Sequence, residues 1–101
     1  LSLKPLLCLD VDGRLVLDQR IRTVTKAHAA MVERVVDVVG DGTADVVVHH
    51  VDNHDAADAL GAALTQRLPQ ITSLAVADMG PVLSVHVGRG ALGVAVYVAA
   101  P

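Results

Sequence analysis

The sequence predicts an α/β domain of two layers, in which two main helices pack on a mixed β-sheet. Its 101 residues suit a single domain over 1–101. Hydrophobic residues make up 52% of the chain and only Tyr97 is aromatic, so Val, Ala and Leu carry the apolar character. Branched aliphatic residues favour strands and alanine favours helices. Stretches of the two kinds alternate, and the predicted order is β-β-α-β-α-β-(short helix or turn)-β.

A β-hairpin is predicted at the start of the chain. Residues 3–9 form the first apolar run, with Pro5 near its beginning, where a missing backbone N–H is tolerated at a sheet edge. The Asp-Gly dipeptide at 12–13 is typical of tight hairpin turns. The chain then returns as a second strand from Leu15 toward Ile21.

The first helix is predicted between a threonine cap and a glycine stop. The hydroxyl of Thr23 or Thr25 can accept a hydrogen bond from a helix N–H that has no other partner. The Gly-Asp-Gly segment at 40–42 should end the helix, because glycine accepts the left-handed conformation common at that point. The apolar residues at helical spacing between these limits are Met31, Val32, Val35, Val38 and Val39.

The remaining elements alternate between strand and helix. A β-branched run at 46–48 predicts a strand buried on both faces. A second helix begins after Asn53 and ends before Pro69, and strands follow at 71–77 and 91–99. The β-α-β-α-β part of this order implies parallel pairing through right-handed crossovers, whereas the hairpin adds antiparallel edges.

Composition removes several classes of function. No uninterrupted apolar run reaches the roughly 18 residues of a membrane span, and no secretion signal opens the chain. Cys8 is alone, which excludes an internal disulfide framework and a cysteine-based zinc site. Net charge is −3 without a basic stripe, so nucleic acid is not an expected partner. Because the sequence starts at Leu1 without methionine, we interpret it as part of a longer protein.

The glycine-rich segment 80–93 is the first candidate site. It holds four glycines in fourteen residues, together with His86 and Arg89. Glycines allow a close approach of backbone to ligand, and neighbouring N–H groups can form an anion-binding concavity. His86 could donate a hydrogen bond to a carboxylate or phosphate oxygen, and Arg89 could supply charge. The alternative is a plain glycine-rich connection with an exposed histidine.

A cluster of histidines and aspartates is the second candidate. Imidazole and carboxylate are suitable metal ligands, so His50, Asp52 and His54 suggest a metal site. However, His49 and His50 lie at a strand end and point to opposite faces, and the following residues are typical of helix caps. The favoured interpretation is that these residues cap the helix or face solvent. His50 still stands at a strand's carboxyl end, where ligands gather in open α/β sheets.

Arg22 and Thr23 are the third candidate, because they precede the first predicted helix. A guanidinium beside a helix N-terminus can bind phosphate or carboxylate. The favoured alternative is a solvated arginine in a weak ion pair.

Motifs of catalysis are missing from the sequence. It has no nucleophile elbow, no Walker-type phosphate loop and no nicotinamide fingerprint. Ser84 and His86 stand two residues apart, a spacing at which a catalytic dyad would need unusual backbone geometry. The chain is therefore predicted not to be an enzyme by itself.

Several segments together resemble the C-terminal domain of the DegV family of bacterial proteins. The segment GPVLSVHVGRGALG at 80–93 is similar to that family's Gly-Pro-Val-Ile/Leu-Gly-x-His-x-Gly-Pro-Gly-Ala-Leu-Gly motif. The Leu-Lys-Pro-Leu-Leu start at 3–7 with its Asp-Gly turn, the Arg-Thr pair at 22–23 and the His-Val-Asp-Asn run at 50–53 are also similar. The resemblance covers essentially the whole chain.

The resemblance implies a lipid-binding function. DegV proteins have two α/β domains of the EDD fold, and a long-chain fatty acid lies between them. In the best understood branch, the protein is the acyl-carrying subunit of a cytoplasmic fatty acid kinase system. It presents the carboxylate to a separate kinase subunit, which makes acyl phosphate for phospholipid synthesis. The expected partners are thus a fatty acid, a kinase subunit and an N-terminal domain, without a further cofactor.

The family's functional residues carry over to positions in the first and the third candidate segments. His86 matches the motif histidine that faces the carboxylate end of the cleft, and Gly88 and Gly90 match the glycines that shape the loop. Arg22, followed by Thr23, matches an arginine on the rim implicated in working with the kinase.

Two departures from the family motif bear on ligand choice. Ser84 replaces a usual glycine, and it could add a hydrogen-bond donor or narrow the cleft. Arg89 replaces the usual proline, which loosens the loop and adds charge beside the carboxylate site. Both are included among the expected ligand-binding residues.

Two rival functions remain open from the sequence. One is a metal-dependent enzyme domain that uses His50, Asp52 and His54. The other is a module without a ligand that buries exposed aliphatic surface by forming a homodimer.

Overall fold

The structure, a computed structural model, describes the backbone of residues 4–9, 15–21, 24–82, 85 and 89–99, and the side chains of residues 28–82, 85 and 89–99. Between the last two strands, Pro81, Val82 and Val85 have helical backbone. The α/β class and the predicted order of elements are confirmed. The elements are β1 (Lys4–Leu9), β2 (Leu15–Ile21), α1 (Val24–Val39), β3 (Thr43–His50), α2 (His54–Arg67), β4 (Ile71–Asp78) and β5 (Leu92–Ala99).

The sheet is mixed, and its five strands lie in the order β2-β1-β5-β3-β4. The hairpin strands β1 and β2 are antiparallel, and β3 and β4, which flank α2, are parallel as predicted. Parallel pairing of β2 with β3 across α1 was also expected, and that prediction is wrong. The last strand β5 lies between the two halves, parallel to β1 and antiparallel to β3.

Pro5 was predicted at a sheet edge, and that prediction is wrong, because β1 lies between β2 and β5. The proline is compatible with this interior strand because of where the pairing of β1 begins. On one side β1 pairs with β2 along its whole length, including Pro5 with Arg20. On the other side, pairing with β5 starts only at Leu6. A proline lacks the N–H of a ladder hydrogen bond, and this one stands outside the stretch that pairs on both sides.

Both helices pack on one face of the sheet, which makes two layers. Along β3 every second residue is buried, and the residues between them are exposed or half-buried. Val46 and Val48 belong to the core, while Val47 points to the other face and is half-buried. The prediction that residues 46–48 are buried on both faces is therefore wrong. The core also contains Met31, Val35 and Val39 of α1, Leu60 and Leu64 of α2, and Leu92, Val94 and Val96 of β5.

An ion pair connects the two helices, and a glycine turn ends the first of them. Arg67 of α2 donates hydrogen bonds to both carboxylate oxygens of Glu33 in α1, with N–O distances of 2.6 and 3.3 Å. These bonds and the charge of Glu33 raise the pKa of Arg67. Helix α1 ends at Val39, and Gly40 follows with a φ of 54°, as predicted for its stop. Thr25 lies inside the first turn of α1 and Thr23 lies outside the described residues.

Neither helix in the described part of the chain is long and apolar enough to cross a membrane.

Candidate ligand-binding site

The carboxyl ends of two strands and the glycine-rich segment meet at one edge of the sheet. Because β3 and β4 are parallel, they end side by side at His50 and Asp78. The chain then turns, and the N–H of Met79 donates to the carbonyl of His50 over 2.8 Å. Strand β5 is antiparallel to β3 and begins opposite His50 at Leu92. The connection that contains the glycine-rich segment therefore starts and ends at this edge.

The segment's C-terminal part is fastened to the turn between β3 and α2. The N–H of Gly90 donates to the carbonyl of Val51 at 2.8 Å, and the N–H of Val51 donates to the carbonyl of Ala91 at 3.0 Å. The side-chain amide of Asn53 adds a bond to the carbonyl of Gly90 at 3.0 Å. Gly90 has a φ of 86°, a conformation that other residues rarely adopt.

An ion pair joins the same two segments through their side chains. The Nε of Arg89 donates to Oδ2 of Asp52 over 2.7 Å, and its Nη2 contacts the same oxygen. Asp52 has a φ of 49°, a left-handed conformation that aspartate tolerates better than most residues. The side chains of Arg89 and Asp52 are 83% and 62% exposed, so water screens their attraction.

His50 is the buried polar residue at this edge, and its hydrogen bonding defines its tautomer. The N–H of Asn53 donates to Nδ1 of His50 at 3.0 Å, so Nδ1 is unprotonated and the ring's proton lies on Nε2. Oδ1 of Asp78 is 3.6 Å from the same Nδ1. An ion pair with Asp78 would require a proton on Nδ1, which the bond from Asn53 opposes. His50 therefore accepts a hydrogen bond from Asn53 and supports the start of α2.

The ring of His54 packs against His50 from the first turn of α2. The two ring centres are 5.5 Å apart in an edge-to-face arrangement. Nδ1 of His54 lies 3.2 Å from Oδ2 of Asp58, one helical turn further on. The two histidines thus contact each other through their rings, while their Nδ1 atoms face separate partners.

A cleft of about 390 Å³ lies along this edge. Its described walls carry three carboxylates and two imidazoles, so they are polar and predominantly acidic. Such walls repel an anion. An anion that binds beside them therefore needs a nearby positive charge, such as that of Arg89. The described lining residues are His50, Asp52, Asn53, His54, Asp55 and Asp78.

The metal hypothesis for His50, Asp52 and His54 gains no support from this geometry. Nδ1 of His50 accepts from Asn53, Asp52 pairs with Arg89, and Nδ1 of His54 faces Asp58. Among the residues that the structure describes, no three or more His, Cys, Asp or Glu side chains are grouped as metal ligands. Capping is wrong for Asn53, whose side chain makes no capping bond to α2, whereas Asp52, His54 and Asp55 are exposed, as the favoured alternative also allowed.

Of the predicted ligand-binding residues, the structure describes Arg89 and Gly90, and it brings both to the turn after His50. Two large apolar residues of the same connection, Val82 and Val85, are 72% and 83% exposed. The predicted residues that lie outside the described part of the chain are Arg22, Thr23, Ser84, His86 and Gly88.

Sequence reasoning missed two residues of this edge. Asn53 was expected only to precede the second helix, although its side chain binds Gly90. Asp78 was not considered, although it lines the cleft. A signal for Asp78 was available, because the carboxyl ends of parallel strands joined by one helix meet at the same edge. The bond between Asn53 and Gly90 spans 37 positions and had no local signal.

Comparison with known proteins identifies the family. A family model described as an uncharacterised protein of the DegV family matches residues 1–99. The chain belongs to the DegV family. This DegV-family chain is 54% identical over 100 residues to a DegV domain-containing protein of Mycobacterium tuberculosis, covering 99% of the chain and 35% of that relative. A relative from Streptomyces coelicolor is 40% identical over 96 residues, covering 95% of the chain and 34% of the relative. The chain thus spans about a third of the length of these relatives.

Solved structures of DegV proteins share the fold of this DegV-family chain. A Streptococcus agalactiae structure, described as a fatty acid binding DegV family protein, has 28% identity and a TM-score of 0.67, with 80% of this chain and 28% of that chain covered. A Thermotoga maritima structure, described as revealing fatty acid binding function, has 26% identity and a TM-score of 0.74, with coverages of 87% and 32%. A DegV family protein of Corynebacterium glutamicum has 30% identity and a TM-score of 0.74, with coverages of 88% and 35%. The resemblance to the family and the fold class are confirmed.

Proposed function

We propose that this chain is the C-terminal lipid-binding domain of a fatty-acid carrier. It binds a long-chain fatty acid and presents the carboxylate to a fatty acid kinase subunit, which phosphorylates it to acyl phosphate. The chain itself performs no catalysis in this scheme. The observation that supports the proposal most is that two similar solved structures are described as fatty acid binding.

The glycine-rich segment is the proposed place of the carboxylate. Its C-terminal part is fastened to the turn after β3, so the whole connection is anchored at one end beside the cleft. His86 is the proposed donor to the carboxylate, because it matches the histidine of the family motif. A hydrogen bond to a charged group contributes about 1.5–3 kcal/mol. The other proposed ligand-binding residues are Ser84, Gly88, Arg89 and Gly90, and Arg22 and Thr23 are proposed to lie near the kinase partner.

Exposed apolar side chains beside the segment are compatible with a lipid ligand. Val82 and Val85 are three residues apart, and each has helical backbone. Both are more than two-thirds exposed. Exposed apolar side chains that cluster on one surface mark sites of contact with apolar ligands or partners.

The lipid content of the full gene product that contains this chain tests the proposal. Protein purified from bacteria should release about one equivalent of long-chain fatty acid into an organic extract, measured by mass spectrometry. His86→Ala should weaken fatty acid affinity about ten- to a hundredfold, from the loss of one charged hydrogen bond. Gln66→Ala, on the exposed surface of α2, is the control and should bind as the wild type does.

Two outcomes would contradict the assignment. If the extract of the wild type holds no fatty acid, the lipid-binding function is wrong. If His54→Ala removes the lipid and His86→Ala does not, the carboxylate binds in the acidic cleft instead of at the glycine-rich segment. The kinase step is tested separately by adding a bacterial fatty acid kinase subunit with ATP and trapping acyl phosphate with hydroxylamine. Bound lipid that yields no hydroxamate would limit the function to binding.

A further inference from the structure

Arg89 stands at a fixed position beside the cleft because its backbone neighbours are fastened independently of its side chain. Two backbone hydrogen bonds join Gly90 and Ala91 to Val51. A third bond runs from the side chain of Asn53 to the carbonyl of Gly90. None of the three involves the guanidinium of Arg89. Its side chain can therefore change partner while the backbone at this edge stays in place.

The present partner of that guanidinium is held weakly. Nε and Nη2 of Arg89 both contact the same oxygen of Asp52, so the two planar groups do not form the parallel pair of bonds that makes arginine–carboxylate contacts strong. Both side chains are mostly exposed. An exposed pair of this kind contributes about 0–1 kcal/mol, which corresponds to at most about a fivefold change in an equilibrium constant.

The charge around the pair disfavours an anion until Arg89 is released. Asp52 lines the cleft together with Asp55 and Asp78, so the cleft beside the ion pair carries three carboxylates. The Arg89 guanidinium offsets one of them through its contact with Asp52. An anion gains the full attraction of Arg89 only when Asp52 gives up that contact.

We propose that Arg89 and Asp52 form an exchangeable ion pair, in which the anionic head group of a bound acyl ligand displaces Asp52 from the guanidinium. Asp52 is then an internal competitor that lowers the affinity for the anion, and Arg89 adds to the selectivity for it. The inference rests on the proposed fatty-acid-binding function and adds to it the pair that tunes affinity. The exchange involves no covalent step.

Comparison of a fatty acid with its uncharged ester isolates this effect. Delipidated full gene product is titrated with oleic acid and with methyl oleate, which share the acyl chain and differ in head-group charge. Asp52→Asn should bind oleic acid about two- to fivefold more tightly, and Arg89→Gln should bind it more weakly by a similar factor. Both substitutions should change the affinity for methyl oleate less than the affinity for oleic acid, because the ester head group carries no charge.

Three further measurements guard against indirect effects. Asp37→Asn removes the same charge from the exposed surface of α1 and should leave both affinities unchanged. The gain in affinity for oleic acid from Asp52→Asn should be smaller when Arg89→Gln is also present, since the two residues act as a pair. It should also shrink when salt is raised from about 20 mM to about 500 mM, because salt screens exposed charges.

The outcomes separate this inference from the function on which it rests. If oleic acid and methyl oleate both bind, and their affinity ratio is the same in wild type, Asp52→Asn and Arg89→Gln, the exchange is wrong and the lipid-binding function stands. If neither ligand binds the wild type, the function is wrong and the exchange with it. Circular dichroism of each variant should match that of the wild type, which excludes unfolding as the cause.

Discussion

Asn53 shows how one side chain can serve a distant segment instead of its own helix. It stands immediately before α2, where asparagine commonly accepts a hydrogen bond from the first turn. Here its amide donates to Gly90, and its backbone N–H donates to His50. The residue therefore connects the end of β3, the start of α2 and the glycine-rich segment.

Replacement of Asn53 by aspartate distinguishes this role from capping. Aspartate is as good a cap as asparagine, but its side chain has no N–H to donate. It would place a carboxylate against the carbonyl of Gly90. We expect Asn53→Asp to lower the free energy of unfolding by about 1–3 kcal/mol, measured by denaturant titration. Repeating the titration at high salt screens the repulsion between the new carboxylate and those of Asp52 and Asp55. The remaining loss of stability then reports the missing hydrogen bond to Gly90. Wild-type stability of this variant would mean that the side chain acts as a cap.

At the scale of elements, Asp45 joins β3 to β4 by its side chain. Its Oδ1 accepts hydrogen bonds from the hydroxyls of Thr72 and Ser73, at 2.9 and 2.6 Å. The bond from Ser73, and then that from Thr72, lower the pKa of Asp45 below its ordinary value of 3.8. The charged form is thus favoured in the folded protein. Its contribution to stability is present above the ordinary pKa and is lost as pH falls below it.

The pH dependence of stability tests this link between the strands. Asp45→Asn should melt at a lower temperature than the wild type at pH 7, and the difference should shrink as the pH is lowered through the ordinary pKa of the carboxyl group. Thermal unfolding followed across this pH range gives the comparison. Asp37→Asn, on the exposed side of α1, controls for the change in net charge. A difference that stays constant with pH would show that the charge of Asp45 is not what stabilises the pairing.

The turn between α1 and β3 needs its two glycines for different reasons. Gly40 has a left-handed backbone, but a Cβ atom added there would meet nothing within 4 Å. A Cβ atom on Gly42 would lie 2.3 Å from the carbonyl oxygen of Ala99, which is backbone of β5. Substitution of Gly40 is therefore limited by the backbone conformation, and substitution of Gly42 by the space for a Cβ atom.

The two alanine substitutions should consequently differ in size. Gly40→Ala should reduce the free energy of unfolding by about 1–2 kcal/mol, the strain of a left-handed alanine. Gly42→Ala should reduce it by about 3 kcal/mol, because the end of β5 must move. Urea titrations of both variants and of Gly40→Asn, which tolerates the left-handed conformation, provide the comparison. Equal losses at the two positions would contradict the close approach of Gly42 to β5.

At the scale of the whole molecule, chain order predicted the elements better than their arrangement. Apolar residues at helical spacing and short apolar runs located both helices and the strands. The single helix between β3 and β4 implied their parallel pairing. The place of β5 had no such signal. It returns from the glycine-rich connection to lie between β1 and β3, where its alternate residues Leu92, Val94 and Val96 complete the core.

The candidate site divides in the same way between local pattern and long-range contact. The histidine and glycine residues of the segment 80–93, and the position of His50 at a strand end, could be recognised from the sequence. The bonds that join these two regions could not be, because Asn53 and Gly90, like Asp52 and Arg89, are 37 positions apart. Only the return of β5 to the side of β3 brings them together.

The sequence by itself determined the α/β class, the order of elements, the stop of α1 at glycine and the family to which the chain belongs. These follow from patterns of neighbouring residues, since the spacing of side chains along a helix or strand is a local property. The tertiary structure decided that one face of β3 is covered, that Arg89 pairs with Asp52, and that Asn53 binds Gly90 instead of capping α2. Those outcomes depend on which strands become neighbours, and that is set by burial of the shared apolar core.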